Sequence, residues 1–127
     1  METDKNVVKL LKRWGKEYKK GFTGYFILMF LMEGEMYGLE ITKRLAEISD
    51  SKINFNESGI YQILKILERN RMVSTHWKKS SLGPKRKYYR LEERGRVLLD
   101  AFTKDYILPI IDTATRLVER HYPGMAG

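Results

Sequence analysis

The sequence predicts a protein that is mainly α with a small β-hairpin. Three observations point there. Apolar residues recur at intervals of three and four through most of the chain, glycines punctuate that pattern in its first half, and two β-prone runs flank a short turn-forming segment. At 127 residues, 43% hydrophobic and 31% charged, the chain has the size and composition of one folded unit rather than a disordered tail.

The elements follow in order. Val7, Leu11, Trp14 and Tyr18 lie four, three and four residues apart, which places them on one face of a helix over Lys5 to Lys20. Seven Lys or Arg residues cover much of the rest of that segment. Gly21 is read as an interruption, and a second helix over Tyr25 to Glu33 is expected to stop at Gly34. Glu35, Met36, Tyr37 and Gly38 read as a turn, after which Leu39, Ile41, Thr42, Leu45 and Ile48 resume helical spacing to about Ser49. Asp50 to Phe55 is polar and irregular. Asn56 is a good N-cap for a fourth helix that carries Glu57 in its first turn and ends near Asn70.

On that fourth helix Ile60, Leu64 and Leu67 form the core side, whereas Ser58, Tyr61, Gln62 and Lys65 face away. Met72 to Lys79 and Lys85 to Leu91 are the two strands of the hairpin, joined by Ser80, Ser81, Leu82, Gly83 and Pro84. The helical pattern returns from Glu92 to His121 with Val97, Leu98, Phe102, Tyr106, Ile110, Leu117 and Val118 as its apolar stripe. Pro109 lies inside it, so a kink or a break is expected there.

Composition narrows the chemistry. Lys and Arg number 24 against 16 Asp and Glu, a formal charge of +8 that favours a polyanionic partner. The absence of cysteine excludes disulfides, thiol catalysis and zinc-finger sites, and suits a cytoplasmic location. Met1 to Lys20 lacks the apolar core of a secretory signal, and the longest apolar run, Tyr25 to Met32, falls far short of the about 20 residues that span a bilayer. His76 and His121 are isolated, and there is no glycine-rich phosphate loop, so neither an enzyme, a metal site nor a cofactor is expected.

Three short helices followed by a hairpin, with a glycine-containing connection between helices, is the order of a winged helix-turn-helix. The expected organisation is a basic amphipathic N-terminal helix at 1–21, a winged helix-turn-helix DNA-binding domain at 22–91, and a long C-terminal dimerisation helix and tail at 92–127. Leu31 to Leu45 (LMEGEMYGLEITKRL), Ser58 to Glu68 (SGIYQILKILE) and Gly83 to Leu91 (GPKRKYYRL) carry a closer likeness. In order and spacing these segments resemble the PadR family of transcriptional regulators, in its compact form with a single long C-terminal dimerisation helix. That pattern often has a proline and a glycine at the start of the recognition helix and a proline after its tyrosine; Glu57, Ser58 and Gln62 stand there in this chain.

The expected contacts to double-stranded DNA follow from the chemistry of the duplex. Phosphates are held by cations, here Lys65 on the recognition helix and Lys78, Lys79, Lys85, Arg86 and Lys87 on the wing. Base edges are read by groups that donate and accept hydrogen bonds, here Asn56, Ser58 and Gln62. Tyr37 and Tyr88 are further expected DNA contacts, Tyr88 because strand alternation turns it outward with Arg86 and Arg90 while Tyr89 and Leu91 turn inward. Tyr61 either bonds a phosphate, as the resemblance implies, or closes the edge of the core. Glu57 either accepts from a cytosine or favours the helix dipole.

One small domain cannot cover two apolar stripes. Val7, Leu11, Trp14 and Tyr18 at one end and Leu98, Phe102, Tyr106, Ile110, Leu117 and Val118 at the other are therefore expected to meet a second copy, giving a homodimer on a palindromic operator. The sequence thus predicts a sequence-specific DNA-binding regulator, a repressor in its simplest form. A small aromatic effector held by Trp14, Phe102 and Tyr106 is a further expectation that the resemblance implies. The rivals are a weakly specific, chromatin-like DNA-coating protein of the same fold and a membrane-surface binder using Lys5 to Lys20; no membrane partner is expected.

Overall fold

A computed structural model of the chain describes residues 5–79 and 82–125. Ser80 and Ser81 of the expected turn, together with residues 1–4 and 126–127, lie outside them. The order is α1 (Lys5–Leu31), β1 (Met36–Tyr37), α2 (Gly38–Ile48), α3 (Glu57–Arg69), β2 (Val73–Lys79), β3 (Lys85–Leu91) and α4 (Glu93–Phe102), followed by a π-helical turn (Thr103–Ile107) and α5 (Leu108–His121).

The first two expected helices are one. α1 runs unbroken for 27 residues through Gly21 and Gly24. A single glycine costs a helix only about 1 kcal/mol relative to alanine, less than the burial of Ile27, Leu28 and Leu31 further along the same rod returns. Gly24 faces α3, where an added Cβ would make ordinary van der Waals contact with Ile63 at 3.5 Å.

The expected turn at Glu35 to Gly38 is likewise corrected. Met36 and Tyr37 form a two-residue strand that pairs antiparallel with Tyr89 and Tyr88, so the hairpin becomes a three-stranded sheet in the order β1-β3-β2. The main hairpin keeps its expected strands, with register Val73↔Leu91 through Lys79↔Lys85. Strand alternation then sorts its faces. Val73 and Tyr89 are buried, whereas Tyr88 and Arg90 lie on the opposite side.

The core gathers Ile27, Leu28 and Leu31 from α1, Ile41 and Leu45 from α2, Ile60, Leu64 and Leu67 from α3, and Leu99 and Ile107 from the C-terminal segment. α3 enters it at a fixed angle. Its N-terminus is capped by Asn56, and its C-terminus closes with Arg71 N–H on the Glu68 carbonyl and Met72 N–H on the Leu67 carbonyl, with Arg71 at φ 62°. This paired closure reverses the chain directly into β2. Gly95 lets α4 pack back on that junction: a Cβ there would lie 2.2 Å from the Met72 carbonyl oxygen.

At Pro109 the helix neither stops nor separates. The turn just before it widens, with Leu108 N–H bonding the Thr103 carbonyl, and α5 continues. A proline lacks the N–H and crowds the carbonyl four residues back, and a π turn accommodates both defects within the helix. Thr103 Oγ1 donates to Leu99 O at 2.8 Å, so the Tyr25 hydroxyl donates to Thr103 at 2.6 Å and ties the widened turn to α1.

Candidate nucleic-acid interface

α3 stands at the surface with one side in the core and the other in solvent. Its buried side is Ile60, Leu64 and Leu67, as the spacing predicts, and Ser58, Tyr61, Gln62, Lys65 and Arg69 are exposed. Lys65 and Gln62 carry no hydrogen bond or ion pair among the described residues and are free to meet a ligand. Asn56 and Ser58 are partly committed. The Asn56 side-chain oxygen accepts from the Ser58 and Gly59 backbone N–H groups at 2.9 and 3.3 Å and from the Ser58 hydroxyl at 2.6 Å. What they still offer is the Asn56 amide N–H pair and the Ser58 oxygen lone pairs.

Tyr61 sits between the two readings given to it. Its ring lies over Gly38 at the start of α2, where an added Cβ would be 2.4 Å from the ring, yet the side chain remains 42% exposed. This explains the pairing of Tyr37-Gly38 with Tyr61 in the sequence: the glycine makes room for the tyrosine, which locks α2 to the outer side of α3. A shallow recess joins Tyr61 to Tyr37, Leu39, Trp77, Lys85 and Arg86, so the recognition helix and the wing form one surface.

On the wing the six predicted side chains divide into three pairs. Lys79 and Lys85 are exposed and, among the described residues, carry no ion pair. Arg86 lies over the Tyr37 ring at 4.3 Å, and Tyr88 is held between Tyr37 and His76 with ring centroids 5.5 and 6.0 Å away. Lys78 and Lys87 are already paired. Lys78 donates to Glu35, which also takes His76 at 2.9 Å and Arg90 at 3.3 Å. Lys87 donates to Glu68 at 2.9 Å beneath the recognition helix, and Thr75 donates to the same carboxylate at 3.0 Å.

These contacts shift titration. The Lys78 hydrogen bond, with His76 and Arg90 adding to it against some desolvation, holds the Glu35 carboxyl below its ordinary range. The Lys87 hydrogen bond does the same for Glu68, and Glu68 in turn raises Lys87. Burial pushes the Tyr89 hydroxyl up.

Sequence reasoning missed Glu35 and Trp77. Glu35 looked like a turn residue, and only the strand pairing of Met36 and Tyr37 brings it over the wing. Trp77 is 64% exposed in a strand otherwise rich in cations, a pattern that could have marked it. It also missed Lys16, Lys19 and Lys20 of α1, which share a groove with Asn56, Gly59 and Gln62. Of the residues expected to meet a partner chain, Val7, Leu11, Trp14, Tyr18, Leu98, Tyr106, Ile110 and Leu117 are exposed. Val118 is half-buried, and Phe102 packs within the chain against Tyr25 at 5.5 Å. Phe102 and Tyr106 stack at 5.4 Å, whereas Trp14, 69% exposed, has no ring contact with them among the described residues.

A three-helix support, a free polar side on its third helix and a basic hairpin beside it define a winged helix-turn-helix protein. The profile of the PadR-like family of transcriptional regulators matches residues 27–101. A PadR-like transcriptional regulator from Bacillus cereus is 28% identical, with a TM-score of 0.70 over 81% of this chain and 97% of that one. A transcriptional regulator from Clostridium thermocellum shares the fold at 22% identity, with a TM-score of 0.68 over 84% of this chain and 98% of that one. Bacillus subtilis PadR, solved in complex with operator DNA, is 26% identical, with a TM-score of 0.57 over 62% of this chain and 45% of that one. The chain belongs to the PadR-like family of transcriptional regulators, which are not enzymes. Among the described residues no helix is long and apolar enough to cross a membrane.

Proposed function

We propose that this chain is a cytoplasmic repressor that binds a palindromic operator in double-stranded DNA as a homodimer. The observation that carries the reading is the single surface made by α3 and the wing. Gln62 and the free edges of Asn56 and Ser58 offer hydrogen bonds to base edges, while Lys65, Lys79, Lys85 and Arg86 offer charge to the flanking phosphates. The operator complex of Bacillus subtilis PadR supports the same assignment. Lys78 and Lys87 serve in this reading as struts that hold the wing, through Glu35 and Glu68.

The homodimer is supported by α5, in which no residue is buried although Leu108, Ile110, Ile111 and Leu117 are apolar. Repression is the simplest form of this reading, in which a dimer seated over a promoter excludes polymerase. A small aromatic effector acting at the Phe102–Tyr106 stack belongs to the same reading, because that stack adjoins the surface a second copy would cover.

Selection of bound duplexes from a random pool tests the proposal. Enrichment of a palindrome with half-sites about one helical turn apart is expected. Binding without any enriched sequence contradicts it and indicates a DNA-coating protein.

A further inference from the structure

The first sixteen residues of α1, Lys5 to Lys20, project beyond the core, and the family match begins only at residue 27. This projection has two opposite faces. Lys5, Lys9, Lys12, Lys16, Lys19 and Lys20 recur every three or four residues, and the series continues into Thr23 and Ile27, which are buried in the body of the protein. Val7, Leu11, Trp14 and Tyr18 recur on the other side, and that series continues into Phe22 and Tyr25.

The body of the protein shows where each face points. On the cationic side, Lys16, Lys19 and Lys20 line one groove with Asn56, Gly59 and Gln62 at the start of the recognition helix. On the apolar side, Tyr25 contacts Phe102 and Thr103 and so leads to the C-terminal helices. The charges are also unspent. Among the described residues the projection's one ion pair is Arg13 with Glu17, and its six lysines have no acidic partner.

We propose that the lysine face of α1 is a second DNA-binding element, which grips the phosphate backbone beside the half-site read by α3. The proposal rests on the DNA-binding reading above and extends it. Sixteen helical residues span about 24 Å, the length of about seven base-pair steps along the duplex axis. Backbone charge carries no sequence information, so this element lengthens the footprint and strengthens binding without altering base preference. A lipid surface fits less well. An amphipathic helix on a membrane buries its apolar face in lipid, and here that face leads into the C-terminal helical layer.

The test compares the full wild-type chain with a variant carrying Lys9, Lys12, Lys16, Lys19 and Lys20 all changed to Gln, and with the matching Lys→Arg variant. Binding to a selected duplex and to versions extended by ten base pairs is measured across salt concentrations, with circular dichroism to establish folding. The Gln variant is expected to bind the extended duplex at least tenfold more weakly at low salt. Its log–log salt slope should be shallower by about 0.9 for each phosphate that it no longer neutralises. Its footprint should be shorter and its enriched sequence the same, while the Arg variant matches wild type. A folded Gln variant with unchanged slope and footprint overturns this proposal alone. Failure of the wild-type chain to bind any duplex overturns the DNA reading and this proposal together. Binding of wild type to phosphatidylglycerol vesicles that the Gln variant loses, with DNA binding unchanged, assigns the helix to lipid and likewise overturns it.

Discussion

Gly38 and Tyr61 pack together where the start of α2 meets the outer side of α3. Because a Cβ at position 38 would lie within 2.4 Å of the Tyr61 ring, Gly38→Ala must displace that ring. An exposed tyrosine can swing away, so a stability loss below about 1.5 kcal/mol is expected, together with weakened operator binding. Chemical denaturation alongside a binding titration checks this, and unchanged affinity would count against a positional role for Tyr61. Gly95→Ala differs, because a backbone carbonyl stands only 2.2 Å from the new atom. It should cost about 1–3 kcal/mol and is read in the same denaturation experiment.

Two carboxylates that pair with wing lysines, Glu35 before β1 and Glu68 on α3, make stability depend on pH. The folded-state values of Glu35 and Glu68 are depressed, so their contribution is present above the ordinary carboxylate range and is lost as pH falls through the depressed values. Lys87 is raised, so its share is present below the ordinary lysine range and is lost as pH rises through the raised value. Glu68→Gln should therefore flatten the acid limb of the thermal midpoint against pH, measured between about pH 2 and 5. An acid limb as steep as wild type would mean that the Glu68 to Lys87 bridge contributes nothing. The pairing itself was hidden from the sequence, where Lys78 and Lys87 are indistinguishable from Lys79 and Lys85. Only the hairpin register decides which cations face an acid.

At the level of elements, α3 and the hairpin were legible. Asn56 as N-cap, Ile60, Leu64 and Leu67 as the core side, and the two strands lie where spacing and turn chemistry put them. α1 was not, because Gly21 looked like a boundary. A glycine weakens a helix but does not end one that has a buried anchor beyond it. Gly15 and Gly21 have open space around the missing Cβ, so alanine at both should stabilise the protein by roughly 1–2 kcal/mol in total and raise its helicity. A boundary at position 21 would instead leave helicity unchanged on Gly21→Ala. The two-residue strand at Met36 and Tyr37 was equally unreadable, since it exists only through its pairing with β3. Arg71 holds a left-handed conformation at φ 62°, which a side chain tolerates at a cost of about 1 kcal/mol. Arg71→Gly should recover about that amount without moving β2.

At the scale of the whole molecule, a single chain leaves too much apolar surface in water. Trp14 is 69% exposed and Leu117 46%, on two helices whose outer faces are otherwise amphipathic. If a second copy covers them, Trp14→Ala with Leu117→Ala should raise the dimer dissociation constant by at least tenfold, and sedimentation velocity would detect it. The fold class and the winged arrangement were legible because they follow from element order. The facing of α1 was not, because which side of a helix meets its neighbours depends on tertiary contacts such as Tyr25 against Thr103 and Phe102.

In the proposed function this surface reads sequence rather than charge alone. The most direct measurement is the ratio of affinities for the selected palindrome and a scrambled duplex of equal length, taken at one fixed salt concentration. A ratio of about a thousandfold or more is the expected result. A ratio near one would mean that the surface binds charge alone and reads no sequence.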